Sequence, residues 1–140
     1  MSAVGSIFLG LLSGFVGWVL TEFIAKPFRR GLDIAADAQA SMIEYANLRS
    51  RCDADGKSTK LTDEEEKRLQ EAEAKYRRLS AQLYAFARTD GIAARILRPV
   101  FDAEHAATAL MGLSNNVGQY GGGRHAATEE AKKALHVRLG

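Results

Sequence analysis

The feature that most constrains this chain is an uncharged apolar run close to its N-terminus. The run extends from Ala3 to Thr21 and contains no Asp, Glu, Lys or Arg. As a helix, a run of this length rises about 28 Å, which is close to the thickness of the hydrocarbon core of a bilayer. We therefore expect residues 1–25 to form a transmembrane anchor.

A cleaved signal peptide is the main alternative for this segment. Such a peptide has a basic stretch before a shorter apolar run and a small-residue cleavage site after it. Here basic residues follow the run and none precedes it, so we expect an uncleaved anchor. Because cytoplasmic flanks carry the excess of Lys and Arg, the same asymmetry predicts a periplasmic N-terminus and a cytoplasmic C-terminal domain. The residues expected at the membrane interface are Trp18, Phe23, Lys26, Phe28, Arg29 and Arg30.

Small side chains form a stripe along the predicted membrane helix. Glycines at helical spacing let two helix backbones approach closely, and the pair Gly10 and Gly14 has the GxxxG spacing of such contacts. We expect the stripe to pack against a membrane helix of a second copy or of another protein, although glycine is also common in membrane helices generally. Glu22 is expected to reach the lipid headgroups or to pair with Lys26. The alternative is that Glu22 is a buried carboxylate in an ion pathway. The stripe consists of Ser6, Gly10, Ser13, Gly14, Gly17 and Thr21.

The composition of the chain limits its possible partners, its compartment and its fold class. The formal net charge is +2, from 19 basic and 17 acidic residues, which is too even a balance for nucleic-acid binding. Cys52 is the single cysteine, so it forms no disulfide within the chain and suits a reducing compartment. With two prolines and no extended β-branched runs, the chain is predicted to be all-α: one transmembrane helix plus a small cytoplasmic hairpin or bundle of three to four helices.

The predicted cytoplasmic domain covers residues 26–117 and begins with a helical hairpin. We expect Pro27 to turn the chain as it leaves the membrane, with Lys26 extended, and a second helix to run over residues 29–49. Its predicted apolar stripe contains Leu32, Ala35, Ala36, Met42, Ile43 and Ala46.

A polar loop over residues 51–60 separates the second helix from the third. Thr62 is expected to cap the third helix and Glu65 to complete a capping box. A heptad-spaced seam along the third helix is expected to pack against the second helix, since it is short for a free-standing coiled coil. The seam consists of Leu69, Ala72, Tyr76, Leu79, Leu83 and Phe86.

A fourth apolar region follows, over residues 92–117, and Pro99 is expected to kink or restart it. It should either form the third wall of the domain or lie on the bilayer surface. Residues 118–124 are predicted to be a glycine-rich hinge, and residues 125–140 an amphipathic helix. The apolar face of that helix (Ala131, Leu135 and Leu139) is thin, which favours a mobile helix or one that waits for a partner.

Motifs that would carry chemistry fail on inspection. The Asp53–Gly56 segment lacks the first and last ligands of a calcium loop. Gly56-Lys57-Ser58 resembles the tail of a phosphate loop, but the first glycine of such a loop would fall at Arg51 and no strand precedes it. His105 next to Glu104 could be half of a metal pair, but adjacent residues do not face each other on a helix. The glycine run could hold an anion with Arg124, although we favour a plain hinge. We predict no catalytic residues, no metal, no cofactor and no enzymatic activity.

Several segments together resemble a family of small bacterial single-pass inner-membrane proteins with no assigned activity. They are the anchor followed by residues 26–33, then 45–48, 79–87 and 112–115. The resemblance implies a bacterial inner-membrane protein in which a helical cytoplasmic domain follows the membrane helix. It also draws attention to two helix ends that could meet through hydrogen bonds, although their asparagines could equally be C-caps. These candidate polar contacts are Tyr45, Asn47, Ser114 and Asn115.

Two classes of function fit these expectations. The first is a scaffold or accessory subunit of a membrane complex, with the lipid bilayer and a membrane protein or a second copy as partners. The second is an oligomeric pore-forming effector, motivated by the small-residue stripe and Glu22. A small-ligand sensor or enzyme ranks third, because the sequence offers no convergent set of polar groups.

Overall fold

The computed structural model describes residues 3–136, which are helical apart from their connecting segments. The all-α part of the prediction is confirmed, and one helix near the N-terminus is long and apolar enough to cross a membrane. The expectation for Leu139 and the end of the last helix lies outside the described residues. The helices are α1 (Ala3–Leu20), α2 (Lys26–Glu44), α3 (Asp63–Thr89), α4 (Gly91–Leu97), α5 (Ala103–Asn116) and α6 (Gly122–Ala134), with a π-helical turn (Thr21–Ala25) between α1 and α2.

The first two helices and the π turn form one continuous helix of 42 residues, Ala3–Glu44. The prediction that Pro27 turns the chain is wrong, because Lys26 is helical at φ −63° and ψ −49°. The Lys26 N–H donates to the Thr21 carbonyl, five residues back, which gives the helix one wide turn. Pro27 then falls in the first turn of α2, where its missing N–H and fixed φ are tolerated.

Helix α3 is the centre of the domain. All six residues of the predicted seam are buried along it. Helix α3 packs most extensively against α5 and less extensively against α2. The expected packing against the second helix is therefore only part of the contact that α3 makes. The alanine-rich face of α5 allows this close approach, and Ser80 of α3 donates a 2.6 Å hydrogen bond to the Ala107 carbonyl of α5.

The buried face of α2 differs from the predicted stripe. Leu32 and Ile43 are 44% and 65% exposed, whereas the buried face contains small residues that a search for large apolar side chains overlooks. At Gly31 the backbone lies so close to α3 that a Cβ atom would be 2.5 Å from the ring of Phe86. The buried residues of α2 are Gly31, Ile34, Ala35, Ala38, Ser41 and Met42.

The predicted start of α3 is confirmed. The Thr62 hydroxyl accepts a hydrogen bond from the Glu65 N–H, and the Glu65 carboxylate accepts one from the Thr62 N–H at 2.8 Å. The polar loop before it is a tight turn in which the Asp53 carboxylate accepts hydrogen bonds from the Asp55 and Lys57 N–H groups. This pattern explains the Asp53–Gly56 segment as an Asx-type turn.

The fourth apolar region divides into α4 and α5, with Pro99 in the break between them. Helix α5 forms the third wall of the domain, and α6 packs along α5 in the antiparallel direction. The expected hinge over residues 118–124 is not a free segment, since Gly118 is buried and Gly122 already begins α6. Leu135 and Ala131 are buried, so the expected mobile or waiting C-terminal helix is instead docked by its few apolar side chains.

Candidate functional site

The boundary between α1 and the domain is marked by an ion pair and an aromatic cluster. The Lys26 ammonium lies 2.5 Å from the Glu22 carboxylate, one turn earlier across the π turn. Trp18 is exposed and contacts the edge of Phe23, with 6.0 Å between ring centroids. Of the residues expected at the interface, Phe28 alone packs partly against the core of the domain.

The small-residue stripe lies on an open surface. A Cβ atom added at Gly10, Gly14 or Gly17 would meet nothing within 4 Å, so no other part of residues 3–136 occupies the stripe. The Thr21 hydroxyl donates a 2.9 Å hydrogen bond to the Gly17 carbonyl. This bond satisfies the hydroxyl within its own helix, so Thr21 needs no polar partner from a neighbouring helix.

Basic side chains surround the start of α2. Lys26, Arg29 and Arg30 line a crevice of about 400 Å³ that is closed by Gln82 of α3 and by Asp33. Arg30 also lies 3.5 Å from Asp90, at the junction between α3 and α4. The residues predicted from charge asymmetry thus lie directly beside the end of the apolar helix, and Arg30 joins α2 to the junction between α3 and α4.

A larger groove of about 880 Å³ lies at the opposite end of the domain. Its walls come from the end of α2, the following loop, and the beginning of α6. Tyr45 and Tyr76 meet edge to face in this region, with ring centroids 5.9 Å apart, and the Tyr76 hydroxyl donates to the Ser41 carbonyl at 3.2 Å. Burial raises the pKa of Tyr76 above its ordinary value. Tyr76 is therefore a neutral hydrogen-bond donor.

Arg124 closes the end of α2 next to this groove. Its guanidinium donates to the carbonyls of Leu48 at 2.8 Å, Ala46 at 3.2 Å and Tyr45 at 3.4 Å. These carbonyls belong to the C-cap residue of α2 and to the turn after it, where no helical N–H follows to donate to them. Arg124 thus closes the turn after α2 from α6, and its guanidinium is engaged by backbone carbonyls.

The four candidate polar contacts do not form one cluster. The Ser114 hydroxyl is buried and donates to the Glu73 carbonyl of α3 at 2.9 Å. Tyr45 ends α2 and contacts Tyr76, whereas Asn47 and Asn115 are exposed. The segments that follow α2 and α5 are instead joined by hydrogen bonds from the Arg51 N–H to the Gly118 carbonyl and from the Ser50 hydroxyl to the Gln119 carbonyl.

Arg51 is a structural centre that the sequence analysis missed. Its guanidinium binds Glu66 in a bidentate manner, with contacts of 2.7 and 3.1 Å, and Glu73 at 2.6 Å. Its backbone N–H donates to the Gly118 carbonyl at 2.8 Å. Arg51 thereby connects the loop, α3 and the segment before α6. A glycine such as Gly118 can mark a point where a side chain lies close to the backbone. No local sequence pattern identifies Arg51 as that side chain.

The described residues show no arrangement that would hold a metal. Within residues 3–136, no three His, Cys, Asp or Glu side chains come together. His105 pairs with Glu130 of α6 at 2.9 Å rather than with its neighbour Glu104. This pair joins α5 to α6 on the surface.

Comparison of the chain with protein-family models, with curated proteins and with solved structures found no match. The resemblance to small bacterial inner-membrane proteins therefore remains a prediction.

Proposed function

We propose that this chain is a non-catalytic single-pass membrane protein that acts as a scaffold or accessory subunit of a membrane complex. The observation that carries the proposal is the state of α1. None of its residues is buried, whereas the domain has a complete core of its own. The large apolar side chains of α1 therefore require a cover from outside the chain, and lipid and a neighbouring helix supply it.

The open stripe on α1 supports a helix as part of that cover. Gly10, Gly14 and Gly17 leave space for a second backbone at close range, which is the usual way in which membrane helices associate. The partner is a second copy or a different membrane protein. The basic residues at the start of α2 favour a cytoplasmic domain and a periplasmic N-terminus, in the bacterial inner membrane.

The pore-forming alternative has weaker support. Lining a pore with one short span requires polar groups along the helix and an available carboxylate. Glu22 is paired with Lys26, and the Thr21 hydroxyl bonds to its own helix. Both groups are therefore engaged within the chain, which favours the scaffold.

The test compares two substitutions that add bulk on opposite faces of α1. Gly14→Leu fills the stripe without touching the rest of the chain, because the site is open. Leu12→Phe adds volume on the far face and serves as the control. The mass of the complex gently extracted from native membranes is measured for each full-length variant.

We expect wild type and Leu12→Phe to run as a complex heavier than one chain, and Gly14→Leu to lose that mass. A wild-type protein that is strictly monomeric would contradict the scaffold. If the mass of the complex is unchanged by Gly14→Leu, the stripe is not part of the interface.

A further inference from the structure

The short helix α4 and the turn that follows it carry aliphatic side chains that the domain does not cover. Ile92 and Ile96 of the helix are 81% and 56% exposed, and Val100 of the turn is 52% exposed. Ala93 and Leu97, on another face of the helix, are buried against the domain. The helix is thus amphipathic, with its large isoleucine side chains exposed.

The position of α4 along the molecule is fixed by two contacts with α2. Arg30 lies 3.5 Å from Asp90, immediately before α4, and Leu97 packs where Gly31 has no side chain. Arg30 and Gly31 are five and six residues beyond Ala25, so these contacts lie about 8–9 Å along the helix axis from the end of the apolar segment. The headgroup layer on each side of a bilayer is about 5–8 Å thick, so α4 stands at its outer edge.

The charge around α4 matches an anionic lipid surface. Residues 26–33 and 88–98 together contain six basic side chains and two acidic ones. Lys and Arg side chains close to an anionic leaflet are attracted to its surface. An apolar face bordered by arginines is the arrangement that amphipathic helices use at the lipid interface.

We propose that α4 and the turn after it form a membrane-surface element, in which Ile92, Ile96 and Val100 enter the interface of the anionic leaflet that α1 crosses. Arg95 and Arg98 then lie beside the lipid headgroups. The proposal rests on α1 spanning the bilayer, as proposed above. The domain accordingly has two attachments to the membrane, and α4 fixes its tilt against the bilayer surface.

The experiment places one nitroxide label at a time on the full-length protein in vesicles of equal parts phosphatidylcholine and phosphatidylglycerol. Cys52→Ser removes the exposed native thiol. Ile96→Cys then reports on α4, Ile24→Cys reports on the end of the apolar helix, and Ile43→Cys is the matched control. Ile43 is also an exposed isoleucine on a helix, but it lies about 27 Å beyond Ala25. Accessibility to oxygen, which enters lipid, is compared with accessibility to a water-soluble nickel complex.

We expect the labels at positions 24 and 96 to favour oxygen and the label at position 43 to favour nickel. A label at position 96 that behaves like position 43, while position 24 is in lipid, overturns the role of α4 and leaves the anchor intact. A label at position 96 that is shielded from both reagents indicates a protein cover and also overturns it. If position 24 favours nickel, the anchor itself fails.

Vesicles of phosphatidylcholine alone test the role of charge. We expect the accessibility at position 96 to shift toward nickel in these vesicles and the accessibility at position 24 to stay unchanged. An unchanged label at position 96 would overturn the requirement for an anionic surface.

Discussion

At the scale of single residues, two glycines allow contacts that a methyl group would block. A Cβ atom at Gly31 would lie 2.5 Å from the Phe86 ring, and one at Gly118 would lie 2.6 Å from the Arg51 guanidinium. Phe86 is fully buried, and Arg51 is fixed by two carboxylates. Neither neighbour can move without giving up its own contacts.

The substitution Gly31→Ala tests the contact between α2 and α3. We expect it to lower the free energy of unfolding by about 1–3 kcal/mol, because overpacking forces a buried ring from its position. Gly112→Ala is the control, since its added Cβ atom would lie 3.8 Å from Ala127, at ordinary contact distance. There we expect a gain of about 0.5–1 kcal/mol from improved helix propensity. Thermal or denaturant unfolding of the detergent-solubilised protein measures both, and equal effects would contradict the contact.

Arg51 gives the domain a pH dependence of defined sign. The hydrogen bond from Arg51 holds the pKa of the Glu66 carboxyl below its ordinary value of 4.5. A carboxyl with a lowered pKa in the folded state stabilises the fold above pH 4.5, and this contribution disappears as the pH falls through the lowered value. In Arg51→Met that contribution is absent. We expect the stability difference between wild type and Arg51→Met to be constant near neutral pH and to shrink below pH 4.5 in unfolding curves. A difference that persists at low pH would contradict the role of Glu66 ionisation.

Local sequence patterns predict the structural roles of some of these residues but not of others. Thr62 and Glu65 could be recognised because both halves of a capping box lie within four residues of each other. Arg51 and Arg124 could not, because their partners are distant in sequence and their roles exist only after the helices have packed. Arg124 was therefore assigned to a hinge, although it closes the end of α2.

At the scale of elements, prediction succeeded where the core is made of large side chains. The seam of α3 is visible because leucines, Tyr76 and Phe86 repeat at heptad spacing. The face of α2 was misjudged because its packing depends on Gly31 and Ser41, which carry little apolar signal. The sequence predicts a turn at Pro27 because proline usually interrupts a helix. The π turn at Thr21–Ala25 instead places Pro27 in the first turn of α2, and sequence rules do not predict such a turn.

The capping box at the start of α3 supplies a prediction for one element. We expect Thr62→Ala to lower the free energy of unfolding by about 1 kcal/mol, since it removes the acceptor for the Glu65 N–H. Thr108→Ala, at an exposed site within α5, should change stability by less than about 0.5 kcal/mol. Chemical unfolding followed by far-ultraviolet circular dichroism distinguishes the two, and a neutral Thr62→Ala would mean that the cap is frayed in solution.

At the scale of the whole molecule, the first turns of α2 and of α3 carry opposite charge. Residues 63–73, at the end of the domain remote from α1, contain six acidic and two basic side chains, whereas residues 26–33 contain three basic and one acidic. Helix α3 runs antiparallel to α2, as the pairs Lys75 with Asp37 and Arg49 with Glu65 show. The basic turns of α2 therefore lie next to the proposed membrane, and the acidic turns of α3 lie at the remote end.

The domain is expected to fold without the apolar helix. No residue of α1 is buried, and the core draws its side chains from α2 through α6 and the segments that connect them. We expect removal of residues 1–22 to leave the helical circular dichroism and the melting temperature of the remaining chain nearly unchanged. Unfolding of the truncated chain would show that α1 supports the domain.

The unbroken helix from Ala3 to Glu44 has a mechanical consequence. A helix that is fixed in a packed core at one end cannot rotate at the other end without twisting that core. If α1 spans the bilayer as proposed, the orientation of the domain about the bilayer normal follows the orientation of α1 against its proposed partner. A partner that rotated α1 about its own axis by one residue position, about 100°, would rotate the whole domain through the same angle.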